Sequence, residues 1–102
     1  MGFEDRRKYL PLVCRDGFKV SIEASEGNYC EPKNNEGPYS SVELGFPSAM
    51  EPLIMRYAED PENPTGTVYG WVPSVVILEV IQKHGGWEEG ELPPMVIHSA
   101  GD

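Results

Sequence analysis

The fold of this chain is decided by the stretch Leu12-Val-Cys-Arg-Asp-Gly-Phe-Lys-Val-Ser-Ile-Glu-Ala-Ser25. From Phe18 onward apolar and polar residues alternate, and this period of two is typical of a strand with one face in the core and the other in water. Asp16-Gly17 is a hairpin-turn signal placed just before that run. The stretch therefore predicts a β-hairpin whose first arm is Leu12–Cys14.

Beyond the hairpin, the next segment is a loop by composition. Residues 26–38 are rich in Gly, Asn and Pro, and Tyr29 and Cys30 are expected to anchor this loop to the core. The alternation resumes at residues 39–46, which predicts another strand that ends before Pro47.

Residues 48–58 fit two structures. Pro52 can open a short helix, or residues 53–57 can form a strand or turn, and the strand or turn is preferred. An acidic, turn-rich loop follows at residues 59–66. Residues 67–72, rich in β-branched and aromatic side chains, then predict a fourth strand.

One helix is predicted over about 73–84, opened by Pro73 or Ser74 and closed by Gly85-Gly86. Its apolar stripe is broader than a surface helix needs, because Val75 and Leu78 widen it. Two interpretations remain open: the helix packs deeply against the sheet, or part of it forms a homodimer contact.

These elements predict the α+β class, with a small antiparallel sheet of about four strands and the helix packed on one face. The 102 residues have the size of a single domain, so residues 1–102 are expected to share one core. Residues 1–9 and 87–102 are expected to be loosely ordered, although the apolar run at 95–97 could add an edge strand.

The net charge of −9 is distributed unevenly. Residues 1–15 hold two acids and four bases, giving +2, whereas residues 16–102 hold fifteen acids and four bases, giving −11. An acidic surface repels nucleic acid and anionic membranes, so direct binding to either is not expected. The charge suits a partner protein with a basic groove, but acidity that only keeps a small domain soluble and monomeric is the preferred explanation.

The sequence also predicts a cytosolic location. Its apolar runs are far shorter than the roughly 20 residues that span a bilayer, and its basic N-terminus lacks the apolar segment of a secretory signal. Cys14 and Cys30 are too few for a disulfide framework, and in a reducing cytosol both are expected to be thiols.

Motifs for catalysis or cofactor binding are missing from the sequence. It contains neither a nucleophile elbow nor a glycine-rich phosphate loop. A metal site would require Cys14, Cys30, His84 and His98 to converge, yet their spacings match no zinc motif. His84 is better explained by its place in the last turn of the predicted helix, where a cation is favoured. We therefore expect a non-enzymatic protein without a cofactor, with metal- or thiol-dependent activity as an alternative.

Aromatic and acidic side chains are the candidates for recognition. Tyr69 and Trp71 lie on one face of the fourth predicted strand, with Val68 and Val72 on the other. If the valines face the core, the aromatic side chains project outward, as interface anchors commonly do; a strand buried on both faces is the alternative. The predicted binding residues are Tyr69, Trp71, Trp87, Glu59, Asp60, Glu62, Glu88 and Glu89.

Several segments resemble small proteins of tailed bacteriophages and prophages. The resemblance covers roughly residues 12–86 and is carried by the segments Asp16-Gly-Phe-Lys-Val-Ser-Ile-Glu-Ala-Ser25, Tyr29-Cys-Glu-Pro32, Val42-Glu-Leu-Gly-Phe-Pro-Ser48, Tyr57-Ala-Glu-Asp-Pro61, Val68-Tyr-Gly-Trp-Val-Pro73 and Lys83-His-Gly-Gly86. The family has no assigned activity, so the resemblance transfers no functional residue. It implies an accessory protein in the cytoplasm of the host bacterium.

The leading hypothesis is a phage-type protein that binds and modulates or inhibits a host bacterial protein. The target would be a nucleic-acid-handling defence complex, and the protein would act as an acidic, anti-CRISPR-like mimic of nucleic acid. The alternative is a small structural or assembly accessory of the phage particle, which predicts self-association through the helix.

Overall fold

The computed structural model describes residues 9–96. The predictions that concern residues 1–8 and 97–102, including the basic N-terminal stretch and His98, lie outside the described residues.

Five antiparallel strands form one sheet, in the order β4-β3-β2-β1-β5, and a helix packs on one face of it. The α+β class is therefore confirmed, with one strand more than the sequence predicted. The bounds are β1 Leu12–Cys14, β2 Lys19–Glu23, β3 Ser41–Gly45, a 3-10 helix Pro52–Tyr57, β4 Val68–Pro73, α1 Ser74–Lys83 and β5 Trp87–Glu89.

The predicted hairpin is present. Leu12 of β1 pairs with Val20 of β2, and the turn between them is closed by the Asp16 carboxylate, which accepts the Phe18 N–H at 2.9 Å. Gly17 in this turn has φ +96°, a conformation that side chains with a Cβ rarely adopt. The Asp-Gly pair thus supplies both the hydrogen bond and the backbone freedom that the turn requires.

The helix α1 begins after Pro73 and ends at Lys83; His84 is its C-cap, followed by Gly85 and Gly86 with positive φ. Ile77, Val80 and Ile81 are buried in the core, whereas Val75 and Leu78 remain exposed. The helix therefore packs deeply along one side and leaves a smaller apolar area at the surface.

The preferred prediction of a strand or turn at residues 53–57 is wrong, because a 3-10 helix forms from Pro52 to Tyr57. Pro52 fixes its own φ near the helical value at the start of the segment. The Glu51 carboxylate then accepts the Leu53 N–H at 2.8 Å and caps the first turn. Ile54 is buried in the core, which holds this short helix in place.

The prediction that Tyr69 projects outward is also wrong: its side chain is fully buried, and its hydroxyl donates to the Pro64 carbonyl. The cause is an irregular register in β4. Val42 pairs with Val72 but Leu44 pairs with Tyr69, so two steps along β3 face three steps along β4. The extra residue of this bulge places both Tyr69 and Val72 in the core and leaves Trp71 outside.

The chain beyond α1 extends the sheet. Strand β5 pairs antiparallel with β1, and farther on Met95 forms an isolated parallel bridge with Tyr39. Leu92 and Met95 pack against the core cluster. Within residues 9–96, no helix has the length and apolar character that crossing a membrane requires.

Candidate functional site

A cluster of charged side chains surrounds His84 at the end of α1. Its Nε2 lies 2.6 Å from Glu51 Oε1, and its Nδ1 lies 2.6 Å from Asp16 Oδ2. The imidazole also stacks on Phe18 with ring centroids 4.2 Å apart. The other oxygen of Glu51 accepts from Lys83 Nζ at 2.8 Å, so this carboxylate, only 1% exposed, has a full set of partners.

The pKa values in this cluster move in the directions expected of ion pairs. Burial works to lower the pKa of His84, but the hydrogen bonds to Glu51 and Asp16 outweigh it and raise the pKa above 6.5. The pKa of Asp16 is lowered by the Phe18 N–H and by His84. Burial works to raise the pKa of Glu51, yet Lys83, the Leu53 N–H and His84 lower it overall. The contacts with Glu51 and Asp16 therefore favour the protonated over the neutral form of the His84 ring.

This arrangement stabilises the fold rather than positioning a reacting group. Both ring nitrogens of His84 are engaged by carboxylates, so neither is free to take a proton from a nucleophile. The three side chains join the hairpin turn, the start of the 3-10 helix and the end of α1. We call Asp16, Glu51 and His84 the ion-pair clasp.

Three of the four candidate metal ligands, Cys14, Cys30 and His84, lie within the described residues. Cys14 and Cys30 are both buried and unbonded to each other, and the Cys30 thiol donates to the Ser25 carbonyl at 3.2 Å. Burial raises the pKa of the Cys14 thiol. Residues 9–96 contain no group of three or more His, Cys, Asp or Glu side chains suited to a metal ion, and His98 lies beyond them.

Exposed aromatic side chains meet at β4, which is an edge strand of the sheet. Trp71, 46% exposed, stacks on Tyr29 with ring centroids 4.9 Å apart, and the Trp71 N–H donates to the Tyr29 carbonyl at 3.0 Å. The half-buried Tyr57 lines the same surface. We call Tyr29, Tyr57 and Trp71 the aromatic patch.

The backbone holds the aromatic patch in place. Trp71 has φ +52°, a left-handed conformation that costs a residue with a Cβ about 1–2 kcal/mol. Glu43 of β3 accepts the Tyr29 N–H at 2.9 Å and fixes the loop beneath the ring. Gly70 permits the close approach, because a Cβ there would lie 3.3 Å from the Tyr29 Cβ. A strained, exposed tryptophan on such support makes the aromatic patch a candidate binding surface.

A hollow of about 320 Å³ opens beside the patch. Its walls are the three aromatic rings, and Glu59 supplies a carboxylate. The lining residues are Tyr29, Tyr57, Glu59, Val68, Gly70 and Trp71.

A second hollow of about 370 Å³ lies on the sheet face opposite α1. Ser21 and Gly45, directly paired across β2 and β3, form its floor, and Phe46 forms part of its wall. Phe46 is 60% exposed and, like Trp71, has φ +52°. This hollow is the larger of the two, but it contains a single aromatic ring, so it offers fewer anchoring groups for a partner.

The predicted acidic and aromatic residues are divided between the two edges of the sheet. Glu59, Asp60 and Glu62 are exposed in the loop before β4, and Glu59 lines the hollow beside the aromatic patch. Trp87, Glu88 and Glu89 are exposed on β5 at the other edge. Four strand spacings of about 4.8 Å separate the edges, roughly 19 Å in all. The predicted set therefore forms two separate surfaces.

The β5 surface is the weaker candidate. The Trp87 indole N–H already donates to the carbonyl of Glu89 at 3.1 Å, and Glu88 pairs with Arg15 at 3.6 Å. Within residues 9–96 no aromatic ring stacks on Trp87, whereas Trp71 stacks on Tyr29.

Sequence reasoning missed Tyr29 and Tyr57 as members of the site. Tyr29 was expected to anchor its loop to the core together with Cys30; this is wrong for Tyr29, whose side chain is 40% exposed, and Cys30 alone is buried. Tyr57 lies in the segment expected to be a strand or turn. Neither position carries a local signal, because each reaches the patch only through the packing of its segment against β4.

No family model, curated protein or solved structure matches this chain. The fold and the site define a small α+β domain with a supported aromatic patch at one sheet edge.

Proposed function

We propose that this protein is a non-enzymatic binding domain that modulates or inhibits a partner protein through the aromatic patch. The observation that carries the proposal is Trp71, held exposed in a strained conformation and stacked on Tyr29. Tryptophan and tyrosine are the side chains most enriched among residues that dominate binding energy. Neighbouring Glu59 adds a charge that steers a basic partner toward the patch.

The partner we propose is a host bacterial protein that handles nucleic acid, met in the cytoplasm of that host. The net charge of −9 supports a partner with a basic groove. The resemblance of residues 12–86 to small phage proteins supports a counter-defence role of the anti-CRISPR type. In this proposal, carboxylates occupy positions that phosphates would otherwise take.

A second candidate function is that of a structural or assembly accessory of a phage particle. Exposed Val75 and Leu78 on α1 favour it, because an apolar area on a helix suits contact with a second copy of the chain. This function predicts self-association and no host target.

The test compares Trp71→Gly with Phe46→Gly. Both residues are exposed aromatics at φ +52°, so glycine relieves the same backbone strain at each site while removing a ring. Tagged protein is used to capture partners from bacterial lysate, with and without duplex DNA, and the affinity of the captured complex is then measured. We expect Trp71→Gly to weaken binding at least about 30-fold, as for a dominant interface residue.

Phe46→Gly should bind like the wild type, and DNA should compete with the partner. Equal binding by the two variants would contradict the role of the aromatic patch. Recovery of the protein alone, together with a dimer in sedimentation, would favour the particle accessory.

A further inference from the structure

The hollow beside the aromatic patch has the composition of a site for an organic cation. Three aromatic rings and one carboxylate are among its six lining residues, and Glu59 is the one charged side chain of that lining. Aromatic faces carry negative electrostatic potential and attract ammonium and guanidinium groups within about 6 Å. A neighbouring carboxylate adds a direct partner for the same charge.

Cations of this chain already lie over these rings from outside the hollow. Lys33 Nζ is 5.5 Å from the centroid of Tyr29 and 5.8 Å from that of Trp71. Arg56 Cζ is 5.8 Å from the centroid of Tyr57. Neither base lines the hollow itself. The rings are therefore placed to interact with a positive charge. The lining of the hollow contains one carboxylate, that of Glu59, and no basic side chain.

The size of the hollow fits a side chain better than a large ligand. Its volume of about 320 Å³ is at the lower end of the roughly 300–1,000 Å³ typical of sites for small molecules. Val68 and Gly70 form an apolar, uncharged part of the wall, suited to the methylene stem of a long basic residue.

We propose that this hollow receives an arginine side chain of the partner protein. The planar guanidinium can stack on an aromatic ring while it donates to Glu59, which a compact ammonium does less well. This inference rests on the proposed function, since it names the chemical group by which the partner enters the patch. It accounts for the joint presence of three rings and a carboxylate at one edge of an acidic domain.

The experiment uses the full chain with the substitution Trp87→Phe. The chain has two tryptophans, and this variant keeps only Trp71. Nα-acetyl-arginine amide is titrated while Trp71 fluorescence is recorded, and Nα-acetyl-citrulline amide, of similar shape but without charge, serves as the control ligand. We expect saturable binding of the arginine compound in the millimolar range, and binding of the citrulline compound at least about five-fold weaker.

Two variants separate a local from a general charge effect. Glu59→Gln removes the carboxylate of the hollow, whereas Glu79→Gln removes an exposed carboxylate of α1 that lies outside the lining. We expect Glu59→Gln to weaken arginine binding at least about three-fold and Glu79→Gln to leave it unchanged. Equal responses to arginine and citrulline, no response to arginine, or equal effects of the two variants would overturn the proposal.

Failure here is distinguishable from failure of the proposed function. If arginine shows no preference while Trp71→Gly still abolishes partner binding, the arginine site is wrong and the binding function stands. If Trp71→Gly leaves partner binding intact, the proposed function falls whatever the titration shows.

Discussion

At the scale of single residues, the ion-pair clasp shows how one buried carboxylate organises three segments. Glu51 is satisfied by Lys83, His84 and the Leu53 N–H, so its burial does not leave an unpaired charge. Removing one partner from such a set typically costs about 1–3 kcal/mol. The sequence predicted that a protonated His84 is favoured at the end of α1. The structure adds that its ring contacts the carboxylates of Asp16 and Glu51.

The clasp predicts a stability maximum on the acidic side of neutrality. The raised pKa of His84 means that its contribution is complete below the unfolded value of 6.5 and is lost as pH rises through the folded pKa. The pKa values of Glu51 and Asp16 are lowered in the folded state. Their contribution to stability is therefore complete above the unfolded pKa values of 4.5 and 3.8, and it is lost as pH falls through the folded ones. The clasp is therefore strongest between about pH 4.5 and 6.5.

His84→Gln should flatten the fall in the free energy of unfolding above pH 6.5, because the variant has no imidazolium to lose. The measurement is urea unfolding at a series of pH values. His98→Gln is the matched control, since it removes the other histidine of the chain. An unchanged alkaline slope in His84→Gln, or the same flattening in both variants, would show that the clasp does not govern this dependence.

At the scale of elements, the decisive additions are the bulge in β4 and the strand β5. Strict alternation along β4 would place Tyr69 and Trp71 on the same face. The bulge instead leaves Tyr69 in the core and Trp71 exposed. Strand β5 attaches to β1 with help from Gly90, whose φ is +94° and which lies against the Pro11 backbone. Both features depend on neighbouring strands, so neither is visible in the local pattern.

Gly90→Ala should detach β5. A Cβ at this position would overlap the Pro11 carbonyl and lie 2.8 Å from the Leu12 Cα, so the backbone would have to shift. Gly17→Ala is the control, because Gly17 also has positive φ but nothing within 4 Å of its Cβ position. We expect about 1 kcal/mol of destabilisation at Gly17 and about 3 kcal/mol or more at Gly90.

Chemical denaturation measures both costs, and hydrogen exchange reports the loss of protection in β1 and β5. Equal destabilisation by the two alanines would mean that Gly90 is needed only for its backbone conformation and not for close packing.

At the scale of the whole molecule, the strand order separates two acidic surfaces that the sequence had grouped together. Glu59 and Glu62 lie in the loop before β4, where Glu59 lines the hollow beside the aromatic patch, whereas Glu88 and Glu89 lie on β5 at the other edge of the sheet. A partner centred on Trp71 can therefore engage the first surface directly and the second only at longer range, where salt screens it.

Charge reversal at the two edges should have unequal effects. Glu59→Lys with Glu62→Lys, and Glu88→Lys with Glu89→Lys, change the net charge equally, from −9 to −5. Binding to the captured partner, measured at physiological salt, should weaken at least about ten-fold for the first pair and within about two-fold for the second. Equal loss in both would favour nonspecific attraction by total charge over contact at the aromatic patch.

The sequence by itself determined the elements whose signals are local. Alternation and Asp16-Gly17 predicted the β1–β2 hairpin, and the residues from Pro73 to Gly86 predicted α1 with nearly correct ends. Hydrophobic periodicity and helix-capping signals depend on residues close together in the sequence, so they can be recognised without the tertiary structure. The 3-10 helix is an intermediate case: Pro52 was recognised as a helix opener, but its cap by Glu51 and the burial of Ile54 come from packing.

Only the tertiary structure decided which side chains meet. Tyr29, Tyr57 and Trp71 come from a loop, a 3-10 helix and a strand, and they converge because β4 packs against the other two segments. His84 reaches Asp16 across 68 positions of sequence and Glu51 across 33. Such contacts are set by strand order, register and the single extra residue in β4, and these depend on the packing of the whole core rather than on any local pattern.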